Sequence, residues 1–317
     1  MTTEREFLIS PGPHLWRGLS VSQIMYFVVI ALMFPTGAAI YFFGYRALSV
    51  IGVSVATAVL TEYVCKKLRG QAFVMDGSAV VTGLLLGLIL PPTIPLWMVA
   101  IGSIFSISIV KEAFGGLGHN IFNPALGARA FMTVSFSAQM TTWVLPMGFG
   151  ADAVTSATPL SGVSDWQQFD PSAYQAMFMG NTAGSLGETS ALLILIGGIL
   201  LLGLGIINWR IPAVYIGMVA LMAVALGQDP LFHILAGGLM LGAFFMATDY
   251  VTSPLTNRGK IIFSVALGVL TVIIRQLGGM PEGVCYSILF MNAITPLIDR
   301  YTKVRPYGLV ERVESAS

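Results

Sequence analysis

The chain has 317 residues, 56% of them hydrophobic and only 10% charged, with a formal net charge of +1 and a mean hydropathy of +0.82. That much apolar surface cannot be hidden in one water-soluble core of this length, so a soluble globular domain is excluded and an integral membrane protein is expected. No nucleic-acid partner is expected.

A bilayer core of about 30 Å takes about 20 apolar residues per helix, because backbone polar groups in lipid must find partners within the segment or in a closed barrel. Runs of helical length lie in chain order at about 23–43, 45–64, 74–90, 95–111, 124–138, 188–206, 211–228, 230–247, 259–276 and 281–298. The fold class predicted is all-α integral membrane, with about ten transmembrane helices. The third and fifth runs are short and flanked by Gly or Pro, which is tolerable only where neighbouring helices or a cavity satisfy the exposed backbone.

Charge distribution tests this count independently, since Lys and Arg concentrate in cytoplasmic segments. With residues 1–22 as a cytoplasmic N-terminal segment, 13 of the 16 Lys and Arg fall on the cytoplasmic side. Arg46 and Arg275 fall outside, and Arg129 lies within the fifth run. Residues 139–187 then form an extracytoplasmic loop that has no Lys or Arg but carries Asp152, Asp165 and Asp170, and residues 299–317 form a cytoplasmic tail. Met1 to Gly18 is polar and shows no cleavage signal, so the first run is expected to stay in the membrane.

The halves look related. Gly83-Leu84-Leu85-Leu86-Gly87-Leu88 precedes Pro91-Pro92-Thr93-Ile94-Pro95-Leu96 in the first, and Gly238-Leu239-Met240-Leu241-Gly242-Ala243 precedes Thr248 to Leu255 in the second. Five helices per half is an odd number, so repeats at 23–138 and 188–298 must lie in opposite orientations, as in transporters with a site between inverted repeats.

Two cysteines, Cys65 and Cys285, are too few for a four-cysteine cluster or a closed zinc site, and His14, His119 and His233 have no ligand spacing. No metal site is expected from this chain's own residues, and the five are read as packing or surface residues.

Two polar segments stand out. Gly115-Gly116-Leu117-Gly118-His119-Asn120-Ile121-Phe122-Asn123-Pro124-Ala125 combines glycines, which let backbone approach a flat ligand, with two asparagines three apart that present amide donors and acceptors. A helix N-cap with a re-entrant turn is the alternative reading. Asp152-Ala153-Val154-Thr155-Ser156-Ala157-Thr158-Pro159-Leu160 is hydroxyl-rich and falls in the long polar loop, where chance clusters of Ser and Thr also occur.

Ionisable groups at membrane depth are costly and so are functional candidates. Asp249 is the foremost, beside Thr248, Thr252 and Ser253, whose oxygens could coordinate Na+ or relay a proton; an interfacial cap or snorkelling residue is the alternative. Glu112, Glu282 and Asp299, at the ends of predicted runs, are weaker candidates.

The Asp152 to Leu160 segment resembles the Asp-x-x-(Ser/Thr)-x-Ala-Thr motif at which a flavin transferase joins FMN to threonine, which would be Thr158. With Gly115 to Ala125, Met246-Ala247-Thr248-Asp249 and Pro281-Glu282-Gly283, it makes nearly the whole chain similar to the membrane D subunits of the Rnf complex, a ferredoxin:NAD+ oxidoreductase. The B subunits of the sodium-pumping NADH:quinone reductase are similar too, although the short N-terminus fits the Rnf subunits better.

The resemblance implies an electron-transfer subunit with FMN on extracytoplasmic Thr158 and non-covalent riboflavin at Asn120 and Asn123, within a complex that translocates Na+ or H+ across the cytoplasmic membrane. It implies as partners the other Rnf subunits (A, B, C, E and G), a flavin transferase for maturation, and membrane lipid. A flavin-free channel or secondary transporter, and a passive scaffold, are the competing readings of ten spans in inverted repeats.

Overall fold

The structure, a computed structural model, describes residues 18–146, 171–277 and 283–303. The described residues form helices and turns without a β-strand. The first helix, α1 (Val21–Phe43), opens on a reciprocal cap: the Gln23 N–H donates to the Ser20 hydroxyl at 3.3 Å, and the Ser20 N–H donates to the Gln23 carboxamide at 2.9 Å. Gly44, at φ 63°, ends α1 and starts α2 (Tyr45–Leu68).

The first half continues with α3 (Ser78–Ile89), α4 (Leu96–Phe105), which runs on as a π segment over Ser106–Glu112, then α5 (Pro124–Ser135) and the short α6 (Ser137–Met140). After α7 (Pro171–Met179), the second half holds α8 (Ala191–Gly203), α9 (Arg210–Ala225), α10 (Pro230–Leu235) and α11 (Leu239–Leu241), the last extended by a π segment over Gly242–Met246. The pair α12 (Asn257–Leu277) and α13 (Gly283–Tyr301) closes it. By length and composition α1, α2 and α12 can each cross a membrane; α3, α8 and α9 are apolar but shorter.

Four predicted segments differ from the observed elements, among them the fifth run, expected over 124–138, which stops at Phe136 and restarts as α6. The third run, expected at 74–90, is the shorter α3, begun at left-handed Gly77 and ended by Pro91-Pro92. The eighth, expected as one helix over 230–247, is broken: Ala236 takes extended backbone, Gly237 turns at φ 68°, and only then does the chain restart as α11. Residues 139–187, expected as a loop, contain α7.

Packing follows membrane rules, in which small residues let backbones close. A Cβ at Gly83 of α3 would stand 2.7 Å from the Val55 Cα of α2, and one at Gly197 of α8 would stand 2.5 Å from the Ala31 carbonyl oxygen of α1. Hydroxyls add interhelical ties: Ser54 on α2 donates to the Gly83 carbonyl at 2.8 Å and meets Ser103 on α4 at 3.2 Å. In each half one long helix lies along a later one, α2 with α4 and α9 with α12, and the halves meet at α1 with α8 and α5 with α13. One apolar core runs through both, from Ala31 to Ile298.

Candidate functional site

Breaking the helices leaves two cavities at opposite ends of α3. The first is bordered by Ser78, Thr82 and Leu85 near the start of α3, the second by Ile89 at its end. The π segment Gly242–Met246 separates them, with Phe244 and Phe245 facing the first and Met246 the second.

Asn120, Asn123, Lys111, Thr248 and Asp249 all line the first cavity, against an apolar wall that includes Ile24, Val28, Phe244, Phe245 and Tyr250. Two segments that the sequence singled out separately are therefore one site. The glycine loop reaches it by backbone that other residues rarely adopt: Gly115, Gly116 and Gly118 lie at φ 123°, 93° and 92°.

Asn123 takes the helix-cap role while it also borders the cavity. Its Oδ1 caps α5, accepting from the Ala125 and Leu126 N–H groups at 3.1 and 3.4 Å, while its Nδ2 reaches the Met246 carbonyl across the halves at 3.5 Å. Pro124 comes next at the first helical position, where a missing N–H costs nothing. Asn120 is buried and donates to the Phe122 carbonyl at 3.0 Å, which holds the loop closed.

Asp249 sits in the turn after the second π segment. Its carboxylate accepts from the Val251 N–H at 3.4 Å and the Thr252 hydroxyl at 3.2 Å, so it organises a turn and does not cap a helix. Thr252 touches Asp249 but does not line the cavity; Ser253 is tied only through its N–H, to the Asp249 carbonyl at 3.1 Å. Of the weaker candidates, Glu112 is buried and pairs with Arg69 at 3.0 Å, and Asp299 accepts from the Leu255 N–H at 3.0 Å. Thr158 and Glu282 lie outside the described residues.

Apart from Glu62 with Lys66, one helical turn apart, the remaining ionic contacts could not be paired from sequence. Lys111 and Glu62, both buried, meet at 2.8 Å beside the first cavity. At the second, Arg129 pairs with Glu188 at 3.1 Å, and Arg275 donates to the His233 and Ala236 carbonyls at 2.7 and 3.0 Å, covering the last turn of broken α10. The signal was a charge inside an apolar run; the partner, 49 or 59 residues away, had no signal. Trp143 and Met177, on either side of the segment carrying Thr158, line this second cavity. Among the described residues no cluster of His, Cys, Asp and Glu could hold a metal ion.

The lining of the first cavity suits a flat, partly polar ligand such as a flavin: its walls are mostly apolar, and the Asn120 and Asn123 amides and the Ser78, Thr82 and Thr248 hydroxyls stand on its border.

These features define a multi-pass membrane protein of the all-α class, with broken helices and two cavities back to back. The chain belongs to the NQR2, RnfD, RnfE family, whose model matches residues 8–308. It is 48% identical to the D subunit of the proton-translocating ferredoxin:NAD(+) oxidoreductase complex of Clostridium ljungdahlii, over 95% of this chain and 96% of that one. It is 46% identical to the D subunit of the Na(+)-translocating ferredoxin:NAD(+) oxidoreductase complex of Acetobacterium woodii, over 97% of each. Identity to the D subunit of the ion-translocating oxidoreductase complex of Methanosarcina acetivorans is 36%, over 95% of this chain and 97% of that one.

Proposed function

We propose that the chain is the membrane electron-transfer subunit of an ion-translocating oxidoreductase complex that couples electron transfer between ferredoxin and NAD+ to movement of Na+ or H+. It carries FMN joined to Thr158 by a phosphoester and holds riboflavin non-covalently at Asn120 and Asn123. The observation that carries this reading is the single cavity bordered by Asn120, Asn123 and Asp249, drawn from the two halves of the chain. Bound there, a flavin supplies one-electron chemistry, while the protein supplies shape, orientation and the local charge.

In this reading the chain lies in the cytoplasmic membrane with about ten spans in two inverted repeats, both termini inside and the 139–187 loop outside. The matching order of helix neighbours in the two halves supports the repeats. The other Rnf subunits (A, B, C, E and G) complete the electron path, and a flavin transferase loads Thr158. Asp249, with Thr252 and Ser253, serves the ion path. Abolished ion transport with intact electron transfer in Asp249→Ala is the expected result, and unchanged transport removes Asp249 from the path. The ion is Na+ or H+, since relatives at nearly equal identity bear names for different ions.

The test is a denaturing gel of the purified chain under ultraviolet light, with mass analysis of the Thr158 peptide. A fluorescent band absent in Thr158→Ala, with a peptide mass raised by FMN less water, is expected. A dark band from protein produced with a working transferase would overturn covalent flavinylation and favour the flavin-free transporter.

A further inference from the structure

We infer that Lys111 is the proton donor to the flavin of the first cavity, recharged from the protein surface through Glu62 and Lys66. The inference rests on the proposal that a flavin occupies this cavity. Its basis is a line of groups in contact. The Lys66 ammonium stands 3.1 Å from Glu62 Oε1, and the same oxygen accepts from the Lys111 ammonium at 2.8 Å. Lys111 Nζ also donates to the Ser78 hydroxyl at 2.6 Å, and the hydroxyl donates to Asp76 Oδ1 at 2.6 Å. Lys111 and Ser78 border the cavity. At the far end the Lys66 side chain keeps 16% of its surface exposed, against 2% for Lys111, so the line begins in solvent and ends at the site.

A structural role alone accounts poorly for this arrangement. Removing an ammonium and a carboxylate from water costs several kcal/mol per ion, and apolar side chains of similar volume would hold α2, α3 and the first π segment together as well. The choice of lysine matters, because a buried ammonium can release its proton whereas a guanidinium stays charged. The other charged and titratable groups around the line are Cys65 and Arg69 of α2 and its boundary, Glu112 paired with Arg69, Asp76 before α3, and Asp249 across the cavity.

As a bound flavin takes one electron from a one-electron carrier of the complex, Lys111 Nζ would give up one N–H proton, and a ring nitrogen would gain it. Lys66 releases a proton to the Glu62 carboxylate, which passes it to the Lys111 amine, and solvent restores Lys66. The net change is one electron and one proton gained by the ring.

The full-length chain carrying Thr158→Ala, purified in detergent so that only non-covalent flavin remains, is mixed with a reduced viologen. Bleaching of the flavin's visible absorption and proton uptake by an indicator dye are followed together, and bound flavin is extracted and quantified. Lys111→Arg keeps the charge and the ion pair but withholds the proton. It is expected to retain flavin while slowing both signals about 100-fold, within the range of a positioned acid. Lys66→Gln slows them less. The double variant Glu62→Gln/Lys111→Met removes both charges together and, should the arginine variant not accumulate, gives the same expected slowing. Wild-type rates in either Lys111 variant, with flavin retained, overturn the relay. Lack of extractable flavin in the parent chain overturns the cavity's flavin assignment itself, a separate failure.

Discussion

The two cavities are built by different means. The asparagine cavity is framed by a helix cap, a glycine loop and hydroxyls, and its buried lysine belongs to a chain of charges leading to the surface. The arginine cavity depends on one enclosed ion pair, Arg129 with Glu188, and on Arg275 bound to the carbonyls of a six-residue helix. In the first, the buried ammonium belongs to a chain of side-chain ion pairs; in the second, one arginine faces a carboxylate and the other faces backbone carbonyls. Two cavities in one fold therefore differ in how their charge is compensated.

Replacing Glu188 with Gln is expected to give the largest effect, about 1.5–3 kcal/mol of destabilisation, because it removes the carboxylate that faces buried Arg129. Thermal unfolding in detergent measures it, and the Arg129→Met/Glu188→Leu double variant should recover most of the loss. A silent single variant would remove the contrast between the cavities. Gly83→Ala, away from both, should cost about 1–3 kcal/mol by driving a methyl into the Val55 backbone.

Asn123→Ala should cost less, about 1 kcal/mol from the lost cap, yet reduce riboflavin retention sharply. Asn123→Asp keeps the cap acceptor and discards the amide donor, so flavin content and melting temperature should part company. Lys66→Gln is the mildest, below about 1 kcal/mol, because the pair is partly exposed and Lys111 still holds Glu62.

Helix-rich membrane architecture was legible from composition and run length because lipid leaves few alternatives. Asn120, Asn123 and Asp249 were legible as polar residues in apolar surroundings, but their meeting at one cavity was not, since Asn123 and Met246 touch over 123 residues of sequence. The break after Leu235 carried a signal in Gly237-Gly238 that run length alone overrode. The π segments had none: Ser106–Glu112 and Gly242–Met246 read as ordinary helix.

The second of those widened turns has a consequence for how the sequence can vary. A wide turn accommodates one residue more than an α-helical turn, so shortening Gly242–Met246 by a single position would restore regular winding and remove the place the extra residue occupies. Phe244 and Phe245 on one cavity and Met246 on the other could then no longer be divided as they are. At this stretch the spacing of residues, as well as their chemistry, sets which cavity each side chain borders.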